Sequence, residues 1–123
     1  MAIWEKANRK ETPQGVEITY KAEGTPLAIE TRWESLPRVH GKGTINYPYY
    51  RVVLDGVEIK RFKLLSVAKK WASQVKLEFC LVDGPQHNYT DSYAEACDWM
   101  AMNNYEPDMY VRDEMTGYWF QIR

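Results

Sequence analysis

The pair Asp55-Gly56, set between two apolar-rich runs of six residues, constrains the fold of this chain more than any other feature. Asp-Gly is a preferred pair for a two-residue type I′ turn, which needs positive φ at both positions and matches the twist of the strands it joins. Residues 49–54 and 57–62 are therefore expected to pair as a hairpin, with Leu54 opposite Val57, Val52 opposite Ile59 and Tyr50 opposite Arg61. That register makes one face almost wholly apolar. It leaves Arg51, Val53, Glu58 and Lys60 on the other.

The flanking sequence alternates between the periods of strand and helix. Residues 1–15 are polar and read as an arm ending in a turn at Thr12-Pro13-Gln14-Gly15. Val16, Ile18, Tyr20 and Ala22 alternate with polar residues, as do Leu27, Ile29, Thr31 and Trp33, so two strands flank a turn at Glu23-Gly24-Thr25-Pro26. Residues 37–48 hold Gly41, Gly43 and two prolines with no clear period, and read as a loop. Ser66 is placed to cap a helix reaching about Gln74, with Val67, Ala68, Trp71, Ala72 and Val75 on its inner stripe. Leu77, Phe79 and Leu81 alternate as a strand closed by Asp83-Gly84-Pro85. Ser92 and Glu95 form a capping box for a second helix to about Asn103, whose inner stripe is Tyr93, Ala96, Cys97, Met100 and Ala101. Residues 109–112 and 118–122 read as a last hairpin turned at Met115-Thr116-Gly117. The order ββ–ββ–α–β–α–ββ predicts a single α+β domain, 1–123, an antiparallel sheet built from hairpins with two helices packed on one face.

The charge is unevenly placed along this order. Residues 38–76 carry nine Lys/Arg against two acids, and residues 77–123 carry nine acids against two Arg, although the whole chain is formally −1. Two opposed fields are hidden in that near-neutral sum, and each can select a charged partner. Nine Tyr and five Trp exceed what a small core needs, so some rings are expected in a binding patch and others as cross-strand pairs.

Residues 50–72, from Tyr50 through the Asp-Gly turn, Phe62, Ala68 and Trp71, resemble the hairpin-then-helix module of AP2-type DNA-binding domains and of some phage integrase arm-binding domains. The resemblance implies a hairpin that enters a DNA groove, with Arg51, Lys60 and Arg61 as contacts. That module has a further strand ahead of its hairpin, where this sequence reads as the loop 37–48. Independently of the resemblance, Arg38 and Lys42 stand beside Gly41 and Gly43, whose backbone N–H groups suit phosphate oxygens. The simpler account of all five cations is a solvated sheet face that resists aggregation.

On the second helix, Asp91, Glu95 and Asp98 recur at i, i+4 and i+7 and so share one face, bordered by Trp99 and Met102. Asp113 and Glu114 follow in the last hairpin. An acidic row edged by large apolar side chains can dock on a basic groove of a partner protein, the charges guiding approach and the ring supplying contact area. The simpler account is a helix N-terminus that favours acids through its dipole.

Catalytic signatures are lacking. Asp83, His87 and Asp91 form a poor metal constellation, and no Walker loop, GxSxG or CxxC is present, so neither metal nor cofactor is expected. No apolar h-region stands in MAIWEKANRK, no run reaches membrane-spanning length, and the two thiols, Cys80 and Cys97, fit a reducing cytoplasm. In type, the small size, opposed fields and missing catalytic motifs resemble phage- or plasmid-encoded proteins that disable a host nucleic-acid-handling enzyme or defence complex. The sequence thus leads to a non-enzymatic inhibitor or adaptor with a protein partner. A nucleic-acid-binding accessory domain is the alternative, and a homodimer made by pairing the opposed patches is a further expectation.

Overall fold

The computed structural model describes residues 3–102, 108–113 and 117–123. The chain divides into two compact units, Met1–Gln74 and Val75–Arg123. The first contains strands β1 (Glu5–Glu11), β2 (Val16–Lys21), β3 (Leu27–Pro37), β4 (Thr44–Leu54) and β5 (Val57–Phe62), then helix α1 (Leu65–Gln74). The second contains β6 (Leu77–Asp83), β7 (Gln86–Thr90), helix α2 (Tyr93–Met102), β8 (Asp108–Asp113) and β9 (Trp119–Gln121). Every pairing is antiparallel, so the α+β class holds. The strands form two sheets rather than one, ordered β1-β2-β3-β4-β5 and β7-β6-β8-β9, and each carries one helix. Among the described residues no helix is long and apolar enough to cross a membrane.

The Asp55-Gly56 turn forms as its sequence requires, with φ of 55° and 79°. The register beyond it differs from expectation. A bulge between Val52 and Val53 admits an extra residue on β5, so Val52 faces Lys60 and Tyr50 faces Phe62, one position off the simple pairing. The shift turns Phe62 and Lys60 toward α1, where the Phe62 and Trp71 ring centroids lie 5.6 Å apart and Lys60 Nζ sits 5.6 Å above the Trp71 ring. Arg61 is sent to the opposite face, its guanidinium 4.2 Å from the Tyr49 ring centroid. Because Gly56 needs a left-handed backbone, Gly56→Val is expected to cost about 1–3 kcal/mol. A melting temperature equal to that of the unsubstituted protein would count against this turn's role.

Three segments depart from their sequence reading for a common reason. β1 (EKANRKE) is exposed throughout and lacks apolar alternation, yet it pairs with β2 as an edge strand, where charged side chains discourage further pairing. β7 (QHNYT), in a stretch where the sequence predicts no element, is likewise an edge strand against β6. The loop expected over 37–48 shrinks to six residues, 38–43, because β3 and β4 pair continuously from Leu27↔Leu54 to Pro37↔Thr44. Pro48 is tolerated within β4 because β5 joins that strand only from Tyr50 onward, so Pro48 has an unpaired side for its missing N–H.

The core of the first unit lies between α1 and the face bearing Tyr20, Leu27, Ile29, Val52 and Leu54, all buried. Each such apolar side chain removed from water contributes about 1.5–3 kcal/mol. Ala68 and Ala72 let α1 approach closely, while Val67, expected on the inner stripe, is 44% exposed and Trp71 is half-buried. In the second unit, Phe79, Leu81, Met109 and Val111 fill the face under α2. Cys80 points the other way and is buried, which raises its thiol pKa, and a hydrogen bond with Tyr89 opposes that shift only in part.

Candidate functional site

Helix α2 begins where the sequence placed it. The Ser92 Oγ accepts from Glu95 N at 3.2 Å, and the Ser92 carbonyl accepts from Ala96 N at 3.0 Å, half of the expected capping box. The helix is seated by Ala96, which is fully buried, and by Tyr93, whose ring centroid lies 5.5 Å from that of Phe79. Arg123 Nη2 donates to the Tyr93 hydroxyl at 3.1 Å and ties the chain end to the same flank. Only Ala96 of the expected inner stripe is fully buried. Tyr93, Cys97 and Met100 are half-buried and Ala101 is exposed.

With that seating fixed, Glu95 and Asp98 lie exposed on the outer face, Asp91 is exposed just ahead of the capping Ser92, and Met102 is 80% exposed. Among the described residues no ion pair reaches any of the three carboxylates. Trp99 is half-buried at the border of the row. Asp113 stands off the helix, half-buried at the end of β8 opposite Leu77, and Glu114 lies outside the described residues. Three of the seven expected contact residues, Glu95, Asp98 and Met102, thus share one open helix stripe, with Asp91 exposed at its start.

The five basic candidates are not gathered. Arg51 donates to Glu30 Oε1 at 2.7 Å, and Glu30 also holds Arg32 at 3.2 Å. Arg61 pairs with Glu58 at 3.1 Å, a hydrogen bond that raises its pKa further, and it stacks on Tyr49. Lys60 faces α1 over Trp71, on the opposite side of the sheet from Arg51 and Arg61. Arg38 and Lys42 are exposed in the loop at the other end of the β3–β4 ladder, ten strand positions from the Asp55-Gly56 turn, or about 33 Å. The local acids that engage Arg51 and Arg61 come from β3 and β5. Alternation with the buried Ile29 and Thr31 marked Glu30 as turned away from the core, and the β3–β4 register then makes Arg51 its partner.

A cluster that sequence reasoning missed lies on the second sheet, away from α2. Arg112 pairs with Glu78 at 2.6 Å and covers the Trp119 ring at 4.6 Å, and Trp119 lies 6.0 Å from Tyr89. Its residues come from four strands, so no local spacing marks it. Asp83, His87 and Asp91 form no metal site, and no cluster of three His, Cys, Asp or Glu able to hold a metal occurs among the described residues.

The division of charge coincides with the division of structure. The first unit carries 13 Lys/Arg against 8 Asp/Glu, net +5, and the second carries 3 against 9, net −6. Compared with known proteins, the chain matches no family model, no curated protein and no solved structure.

Proposed function

We propose that this protein is a non-enzymatic inhibitor or adaptor that binds a basic groove of a partner protein through the outer face of α2. The observation that carries this reading is the contrast between the two charged surfaces. Arg51 and Arg61 are occupied by Glu30 and Glu58, whereas Asp91, Glu95 and Asp98 stand open beside an exposed Met102. Solvated charges guide encounter, and an apolar side chain within the same patch supplies area that leaves water on binding. The partner class proposed is one whose surface suits an acidic face. A bacterial nucleic-acid-handling enzyme or defence complex presents cations spaced for phosphates, and a protein of this type acts on it from a phage and in the cytoplasm.

Capture from a bacterial lysate at low salt tests the reading. The unaltered protein is expected to retain a specific partner, and Asp91→Lys/Glu95→Lys/Asp98→Lys to lose it while remaining folded. With the partner isolated, the triple reversal should slow association at least tenfold and flatten its salt dependence, since charge acts mainly on approach. Arg38→Glu/Lys42→Glu is the opposite arm, because both side chains are exposed and, among the described residues, neither enters an ion pair. If that variant loses the partner, or loses binding to DNA or RNA in a gel shift, while the acidic-row variant keeps full activity, the ribbon end is the working surface and the α2 reading is wrong.

A further inference from the structure

The outer face of α1 is the chemical complement of the outer face of α2. From Lys60 to Lys76 the chain carries six cations and no acid. Within that stretch Leu64 is 62% exposed and Val67 44% exposed, and Lys63 and Lys70 are exposed on either side of them. From Leu77 to Val111 it carries seven acids and neither Lys nor Arg. Lys63, just ahead of the helix, then Val67, Lys70 and Gln74 follow one another at intervals of four, three and four residues. Asp91, Glu95, Asp98 and Met102 repeat those intervals. On a helix such positions form one stripe, which Val67, Lys70 and Gln74 follow on α1 and Glu95, Asp98 and Met102 on α2, while Lys63 and Asp91 each stand two residues ahead of the helix start.

We propose that the α1 face of one copy docks on the α2 face of a second copy, so that self-association covers the surface α2 offers to its partner. This rests on the reading of α2 as a protein-binding face and adds a regulator to it, the concentration of the protein itself. A second copy is the favoured occupant because it brings opposite charge at matching spacing, with exposed apolar side chains, Leu64 and Val67 on one face and Met102 on the other, inside the two patches. Each molecule has both faces, so the contact is heterologous, one copy offering α1 and the other receiving it on α2. The cations and acids speed and orient the encounter, and the apolar side chains set how long it lasts.

Sedimentation velocity on the purified protein tests the proposal without any partner. Association is expected at low salt and should disappear near 1 M, where the screening length falls to about 3 Å. Lys63→Glu/Lys70→Glu alone and Glu95→Lys/Asp98→Lys alone should each be monomeric. Mixing those two variants in equal amounts should restore association, because each then complements the other, and so should combining all four changes in one chain. All four residues are exposed, so each variant is expected to fold, and circular dichroism is the check. A protein that stays monomeric at every concentration overturns the proposal, as does association that ignores salt or fails to return on mixing. A monomeric protein whose Glu95→Lys/Asp98→Lys variant still loses its lysate partner sinks self-association alone and leaves the α2 reading standing.

Discussion

Phe79→Ala is expected to lower the free energy of unfolding by about 3–5 kcal/mol, the range for truncating a large buried ring. Phe79 is 2% exposed in the middle of β6, opposite Val111 and in ring contact with Tyr93 of α2. Removing the ring opens a cavity among Leu81, Val111 and the helix, and also takes away the surface that orients Tyr93. Phe120, which faces Val111 from β9, is 44% exposed and serves as the control. Phe120→Ala should cost about 1 kcal/mol or less, since much of that ring already meets water. Urea unfolding of both variants separates the two positions. Equal losses would mean that the core of the second unit does not centre on β6.

The elements that were legible in the sequence are those whose period is enforced by a buried face. β2, the first half of β3, β6 and both helices each place apolar residues against a core, and that requirement writes alternation or a helical stripe into the chain. β1 and β7 were missed because edge strands are held by backbone hydrogen bonds to one neighbour and bury almost nothing. Their side chains are free to be polar, so no period survives. The far half of the β3–β4 hairpin was missed for a similar reason. Leu36, Val39 and Tyr47 there are 41%, 91% and 47% exposed, and Pro37, Gly41, Gly43 and Pro48 punctuate it like a loop.

Of the candidate site, Glu95, Asp98 and Met102 were legible as a row because helical spacing decides a shared face once the cap at Ser92 fixes where the helix begins, and Asp91 falls just ahead of it. The basic hairpin was not, and the cause is a single inserted residue. A bulge cannot be read from alternation, and here it exchanged the faces of Lys60 and Arg61, turning Lys60 toward α1 and Arg61 to the side of Arg51. Ion pairing across strands was equally hidden. Glu30 lies 21 positions before Arg51, and only the β3–β4 register brings them to 2.7 Å. The split of charge survived translation into structure better than any single contact, because it depends on where the units divide rather than on register.

Gly15→Ala is expected to destabilise the first unit by about 1–3 kcal/mol and to release the indole of Trp33, although the substitution adds only a methyl group. A β-carbon at Gly15 would fall within the Trp33 ring, against its Cε2 and Cζ2 atoms. The ring cannot easily yield, since Trp33 Nε1 donates to the Val16 carbonyl at 3.1 Å. The turn cannot easily yield either. Thr12 N donates to the Gly15 carbonyl at 2.9 Å, and the Thr12 hydroxyl donates to the same oxygen at 2.7 Å. The neighbouring Gln14 is tied to the hairpin, its side chain to Ser35 and its carbonyl to Asn46, both at 3.4 Å. One small residue thus joins the β1–β2 turn to the base of the long β3–β4 ribbon that carries Arg38 and Lys42 at its end. Breaking the contact should loosen both. The measurement is the Trp33 indole N–H resonance together with amide exchange along residues 33–48: the indole should shift toward its solvent-exposed position and the amides should exchange faster. An indole resonance that does not move, with exchange unchanged, would show that the turn and the ribbon are held independently of Gly15.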